Sequence, residues 1–210
     1  CITVSTARKN DGGPKPVRSK QDLWGLPNLA KHLQRLLNDA NTLFRHVFEL
    51  LEVILQERLP VVVENPEESM LWDFPELVEL IAKYGGEFRT FDMCQFGSRW
   101  LKPTRLLMFN MPHLAKQQMP LCKTRFTICS ASGKWHVRLV GKDGRGEYQT
   151  KKAQSYPKQF CRFLAAHIAY QLLLAQGKAV GPDADGLLST IARYGKEEDE
   201  GPKPHKGRSV

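Results

Sequence analysis

Residues 60–65, Pro-Val-Val-Val-Glu-Asn, are an apolar β-branched run that ends abruptly in a carboxylate and an amide, with Pro66 immediately after. Such a run reads as a buried strand, and proline closes it because it cannot continue a central ladder. Open α/β sheets keep their chemistry at the C-terminal ends of strands, so Glu64 and Asn65 are candidate site residues. The alternative is a core strand whose Glu64 caps a helix beginning near Ser69.

Around this strand the chain is punctuated clearly. Residues 8–28 are rich in Gly, Pro, Lys and Asn and read as a mobile loop ending in the anchor Leu23-Trp24-Gly25-Leu26-Pro27. From Leu29 the apolar positions recur at 33, 36, 37, 40, 43, 44, 47, 48, 51, 54 and 55, which predicts a long amphipathic helix broken before Pro60. After the strand come a helix over 75–83, stopped by Gly85-Gly86, a strand over Phe88–Asp92 and a strand over Thr104–Asn110. A right-handed β-α-β crossover is the default joining 60–64 to 88–92. Two short β-like runs, Arg125–Cys129 and Trp135–Val140, predict a small hairpin module. A helix over 158–176 follows, with Phe160, Phe163, Leu164, Ile168, Leu172 and Leu173 as its core face and Gly177 as its stop. The expected organisation is a loop and linker over 1–28 and an α/β domain over 29–177 carrying a basic hairpin insert at 122–150. A short helix and a disordered tail occupy 178–210.

The chain has 210 residues, 41% of them apolar and 25% charged, which suits one domain with a real core. No apolar run is long enough to span a bilayer, so no membrane partner is expected. Five dispersed cysteines, an odd number, suit a reducing compartment and an intracellular location, nuclear or cytoplasmic. The net charge of +9 is regional. Residues 1–98 hold 11 Lys/Arg against 14 Asp/Glu, a net of −3, whereas residues 99–162 hold 14 against Asp143 and Glu147, a net of +12. With Trp100, Phe126, Trp135 and Tyr148 interleaved, that block suits a surface that tracks phosphates and stacks bases; the alternative is a solvated basic face.

The N-terminus begins Cys1-Ile-Thr-Val-Ser5-Thr-Ala7-Arg8, a hydroxyl-rich run opening on a cysteine with no initiator Met, which reads as a segment of a longer product. Read with Val63-Glu64-Asn65-Pro66, the chain resembles the C5-cytosine DNA methyltransferases. In that family a Pro-Cys-Gln-x-x-Ser-x-Ala loop carries the nucleophile, and a later Glu-Asn-Val strand end holds the target base. Cys1, Ser5 and Ala7 match the loop in spacing; Ile2 stands where the family has Gln, and Pro66 replaces Val. The resemblance implies a partial Rossmann-like methyltransferase sheet of about three strands with flanking helices. It implies that Cys1 adds to a flipped cytosine, that Glu64 and Asn65 hold the base, and that Arg105 supports the catalytic loop. The substrate side comprises Ser5 and Arg8 of the loop, Lys102 before the last strand, and Lys134 and Arg138 of the basic module. S-adenosylmethionine is the implied donor, but no glycine-rich donor loop occurs in the chain, so these residues alone are expected not to bind it.

Cys122, Cys129, His136 and Cys161 offer three thiolates and an imidazole, a zinc-compatible set without Cys-x-x-Cys spacing; the alternative is ordinary buried thiols and a surface histidine. Cys94 reads as a packed thiol, and His113 and His167 have no evident partner. Two functions follow: part of a nucleic-acid-binding DNA methyltransferase-like protein, inactive alone, or a non-catalytic nucleic-acid-binding or interaction domain of a mobile-element polyprotein. DNA is the expected partner in the first, and the oligomeric state is open.

Overall fold

The computed structural model describes residues 2–4, 15–125, 127–142 and 144–177. Cys1, Ser5, Ala7, Arg8, Phe126, Asp143 and the expected tail over 178–210 lie outside the described residues.

Helix α1 (Lys31–Gln56) follows the apolar periodicity: Leu37, Ala40, Phe44, Phe48, Leu51 and Leu55 fall on one face and are buried. Strand β1 (Val61–Pro66) comes next, then a 3-10 turn over Met70–Asp73 capped by the Ser69 hydroxyl, which accepts the Leu71 N–H at 3.2 Å. Ser69 caps this turn itself, so Glu64 is not its cap. Helix α2 (Pro75–Tyr84) begins with proline in its first turn and ends at Gly85, whose φ of 74° is the left-handed conformation that closes helices. Strands β2 (Glu87–Asp92) and β3 (Pro103–Phe109) complete the sheet. Short helices α3 (Pro112–Ala115) and α4 (Gln149–Lys152) precede the last long helix, α5 (Lys158–Ala175).

The architecture is mixed α/β, with a three-stranded open sheet in the order β1-β3-β2 and both neighbouring pairs antiparallel. This departs from the expected Rossmann-like sheet, though not from the expected β-α-β connection of β1 to β2. Strands β1 and β2 do run in the same direction and α2 does join them, but β3 lies between them. The link from β2 to β3 is the reason: residues 93–102 are too short for a parallel crossover, so β3 turns back alongside β2. It follows that β1 is an edge strand, with Val61–Asn65 half-buried rather than buried.

Opposed residues of an antiparallel pair share a face, so the register sorts the sheet into two layers. Leu107 and Phe109 join Phe44, Phe48, Phe74 and Leu77 in a core beneath α1 and α2. Leu106 and Met108 join Phe91, Phe96, Leu114 and Phe160 in a second core beneath α5. Residues 15–28 are not a mobile loop. Val17 is fully buried, Trp24 meets Phe74 edge-on at 5.0 Å, and the Arg18 guanidinium lies 5.3 Å from the Phe44 ring centroid. Apolar and aromatic side chains within that Gly/Pro-rich stretch give it core to pack on.

The expected hairpin at 122–150 is found only in reduced form, its two runs meeting antiparallel at one bridge. Among the described residues it contains no strand, only isolated antiparallel bridges Ile128↔Trp135 and Lys142↔Tyr148. Its runs have no third strand to pair with and expose Ile128, Trp135 and Val140 instead of packing them.

Candidate metal centre

A segment with so little apolar packing requires another source of order, and Cys94, Cys122, Cys129 and His136 form a cluster that could hold a metal ion. Their ligand atoms all lie within 4.8 Å of one another, with the thiols of Cys94, Cys122 and Cys129 buried. Tetrahedral zinc with Zn–S bonds of about 2.3 Å places its ligand atoms about 3.8 Å apart; Cys122 Sγ and His136 Nε2 are 3.7 Å apart.

Each ligand is placed by a local device. Cys94 sits in the 3-10 turn Met93–Phe96 that ends β2, stopped by Gly97 at φ 91°. The fully buried Asp92 fixes Cys122: its Oδ2 accepts the Cys122 N–H at 2.8 Å, while its Oδ1 receives Arg125 at 3.3 Å. Cys129 and His136 flank a tight turn in which the Cys129 N–H donates to the Lys134 carbonyl at 2.7 Å and the Gly133 N–H to the Cys129 carbonyl at 2.9 Å. The His136 N–H closes the loop on the Thr127 carbonyl at 3.2 Å. Leu101 covers the thiols.

The thiols of the cluster are held unequally. Burial pushes the Cys94 thiol up to about 12. Burial also opposes ionisation of Cys122, yet Ser130, donating from both its backbone N–H and its hydroxyl at 3.5 Å, brings that thiol down to about 6. The Gln95 amide donates to Cys94 Sγ at 3.4 Å and to Cys129 Sγ at 3.9 Å. Such donors are the outer shell that steadies metal-bound thiolates, and a dication stabilises three neighbouring thiolates that otherwise repel. The residues fit zinc: three sulfurs and one imidazole nitrogen would fill a tetrahedral site with no open position, as in a structural site.

Cys122, Cys129 and His136 thus come together as expected, but Cys161 does not join them. It is exposed on α5, one position past the inward-facing Phe160. Cys94, read as a packed thiol, takes its place. The periodicity of α5 carried the clue, because it assigns Cys161 to the outer face.

The remaining candidates divide between the two faces of the sheet. Glu64 opposes Leu106 in the register and lies on the α5 side, where Tyr156 donates its hydroxyl to Oε2 and Lys102 Nζ stands 3.9 Å from Oε1. Lys102 also lies 4.9 Å from the Tyr156 ring centroid, and its backbone holds a left-handed φ of 40°. Burial and the Glu64 carboxylate both raise the Tyr156 pKa. Asn65 and Arg105, opposed to each other, lie on the other face, with the Arg105 guanidinium 5.3 Å from the Phe88 ring centroid and 5.9 Å from that of Trp72. Glu64 and Arg105 therefore do not share a site, because successive strand residues alternate faces. Lys134 and Arg138 are exposed on the loop that carries Cys122, Cys129 and His136 and make no ion pair among the described residues. Tyr156 carried no sequence signal as a partner of Glu64. No helix among the described residues is long and apolar enough to cross a membrane. Comparison of the chain with protein-family models, curated proteins and solved structures finds no match.

Proposed function

We propose that the chain is a nucleic-acid-binding module in which a structural zinc ion, held by Cys94, Cys122, Cys129 and His136, shapes a basic loop that presents an aromatic side chain to a strand. The observation that carries this reading is Trp135, which lies next to the ligand His136 and is 70% exposed. A tryptophan of that exposure buries little of its ring, exposed Lys134 precedes it, and exposed Arg138 and Lys123 lie on the same loop. Cations that follow a phosphate backbone, combined with a ring on which a base can stack, make a platform for single-stranded nucleic acid. The test is fluorescence anisotropy of a labelled single-stranded oligonucleotide with the zinc-loaded protein. Trp135→Ala should weaken binding by about 1–3 kcal/mol, the worth of one stacked base. Binding by that variant equal to the parent's would sink the reading.

A second reading keeps the chain as part of a C5-cytosine methyltransferase-like protein. It is favoured by Glu64, whose side chain is only 14% exposed and whose Oε1 is buried without a hydrogen bond, as suits a carboxylate that holds a base edge. It stands second because the sheet pairs are antiparallel and Arg105 lies on the face away from Glu64. It also needs an S-adenosylmethionine-binding half outside these residues. Transfer of a methyl group to cytosine by a longer chain, lost in Glu64→Gln, is its test.

A further inference from the structure

A groove of about 630 Å³ lies beside β2 and β3, with none of the candidate metal ligands in its lining, and is lined in part by Arg89, Thr90, Arg105, Lys116, Gln117 and Gln118. Three of its lining residues are cations, and none is a carboxylate. Arg89 is committed to its surroundings: it donates to the Phe88 carbonyl at 2.7 Å and pairs with Glu87 at 3.6 Å. Arg105 and Lys116 are different, since neither has a carboxylate partner among the described residues. Arg105 is half-buried in the central strand and held against the faces of Phe88 and Trp72.

A half-buried guanidinium with no anion beside it is costly, and aromatic faces offset only part of that cost. They fix its plane and leave its fork of N–H donors for a ligand. A planar fork, an ammonium and neutral hydroxyl and amide groups form a set suited to an oxyanion with several equivalent oxygens. The groove is open to solvent, and apart from Phe88 and Met119 its lining side chains are charged or polar, unlike the apolar enclosures that take small organic ligands. We propose that it seats a phosphodiester of a bound nucleic-acid strand, with Arg105 as the residue that recognises the phosphate and Lys116 as its electrostatic partner. This inference rests on the nucleic-acid reading and gives that reading a second contact region, independent of the Trp135 loop.

The test uses the zinc-loaded chain and a labelled single-stranded oligonucleotide, with affinity measured across a salt series for the parent, Arg105→Met and Lys116→Gln. Each lost phosphate contact should weaken binding severalfold and reduce the slope of log K against log salt by about 0.7, the single-strand value. A steep parent slope left unchanged in both variants overturns the groove and leaves the Trp135 reading standing. Absence of parent binding removes both. If Arg105→Met does not fold, Lys116→Gln, at an exposed position, decides alone. In a competition arm at matched ionic strength, inorganic phosphate should displace the oligonucleotide no better than chloride. Displacement by inorganic phosphate that Lys116→Gln abolishes would make the groove a free-anion site and overturn the strand.

Discussion

The hydroxyl of Tyr156 donates to the Glu64 carboxylate across 92 positions of sequence, tying the approach to α5 onto the edge strand β1. Lys102 lies against both groups, so one carboxylate, one cation and one phenol join three separate segments of the chain. Removing the hydroxyl leaves the carboxylate with one donor fewer. Tyr156→Phe should lower stability by about 1.5–3 kcal/mol, the worth of a hydrogen bond to a charged group, read as a lower urea midpoint with an unchanged slope. A midpoint within error of the parent's would show that the bond contributes nothing.

Metal content separates the four ligands from the excluded cysteine. Zinc-loaded protein should contain one zinc per chain, and cobalt substitution should give the visible bands of a tetrahedral thiolate site. Cys94→Ser should lose tight binding, while Cys161→Ser should retain it. Equal loss in both variants would place the metal elsewhere.

The pH dependence of stability follows from His167, which is buried on the inner face of α5 against Phe163 of the same helix and His113. Burial first, then the neighbouring His113, lowers its pKa to about 4. The folded state therefore holds this imidazole neutral, and between about 6.5 and 4 the unfolded chain binds the extra proton. Stability should fall as pH drops through that window, by up to about 1.4 kcal/mol per unit from this residue. His167→Leu should flatten the profile there; an unchanged profile would assign the acid sensitivity to another group.

Gly86, in the turn between α2 and β2, has no room for a side chain. A Cβ there would stand 2.7 Å from the Phe109 ring and 2.8 Å from a Leu107 methyl, both in the main core. Gly86→Ala should cost about 1–3 kcal/mol by overpacking, read as a lower melting temperature. At Gly133, in the metal loop, the added Cβ would meet nothing within 4 Å, but φ is 66°, so Gly133→Ala should cost less and act through backbone strain alone.

The main elements were legible because each carries its own punctuation: Pro60, Pro75, Gly85 and Gly177 mark boundaries of the helices and strands found. The order of the sheet was partly legible. The ten residues between β2 and β3 already exclude a parallel return, a constraint of length that the strand-end motif at Glu64 obscured. The metal set was legible in three of its four members. The fourth was hidden because a buried thiol after a strand looks the same whether it packs or ligates, and only convergence in space separates the two. The Glu64–Tyr156 bond left no trace in sequence, since nothing local links an edge strand to a residue so far downstream.

Cys94 lies at the end of β2, whereas the other three ligands belong to the loop that follows β3. The sheet is complete at Phe109, before the first of those three is reached. Chelation should therefore divide the molecule by hydrogen exchange: amides of the β-ladder stay protected, while those of residues 122–136 exchange freely and the loop becomes open to proteases. A bound metal would act as a clasp that fastens a finished frame to a flap otherwise tethered by Asp92 and Arg125, so zinc supply would govern whether that flap is displayed in shape.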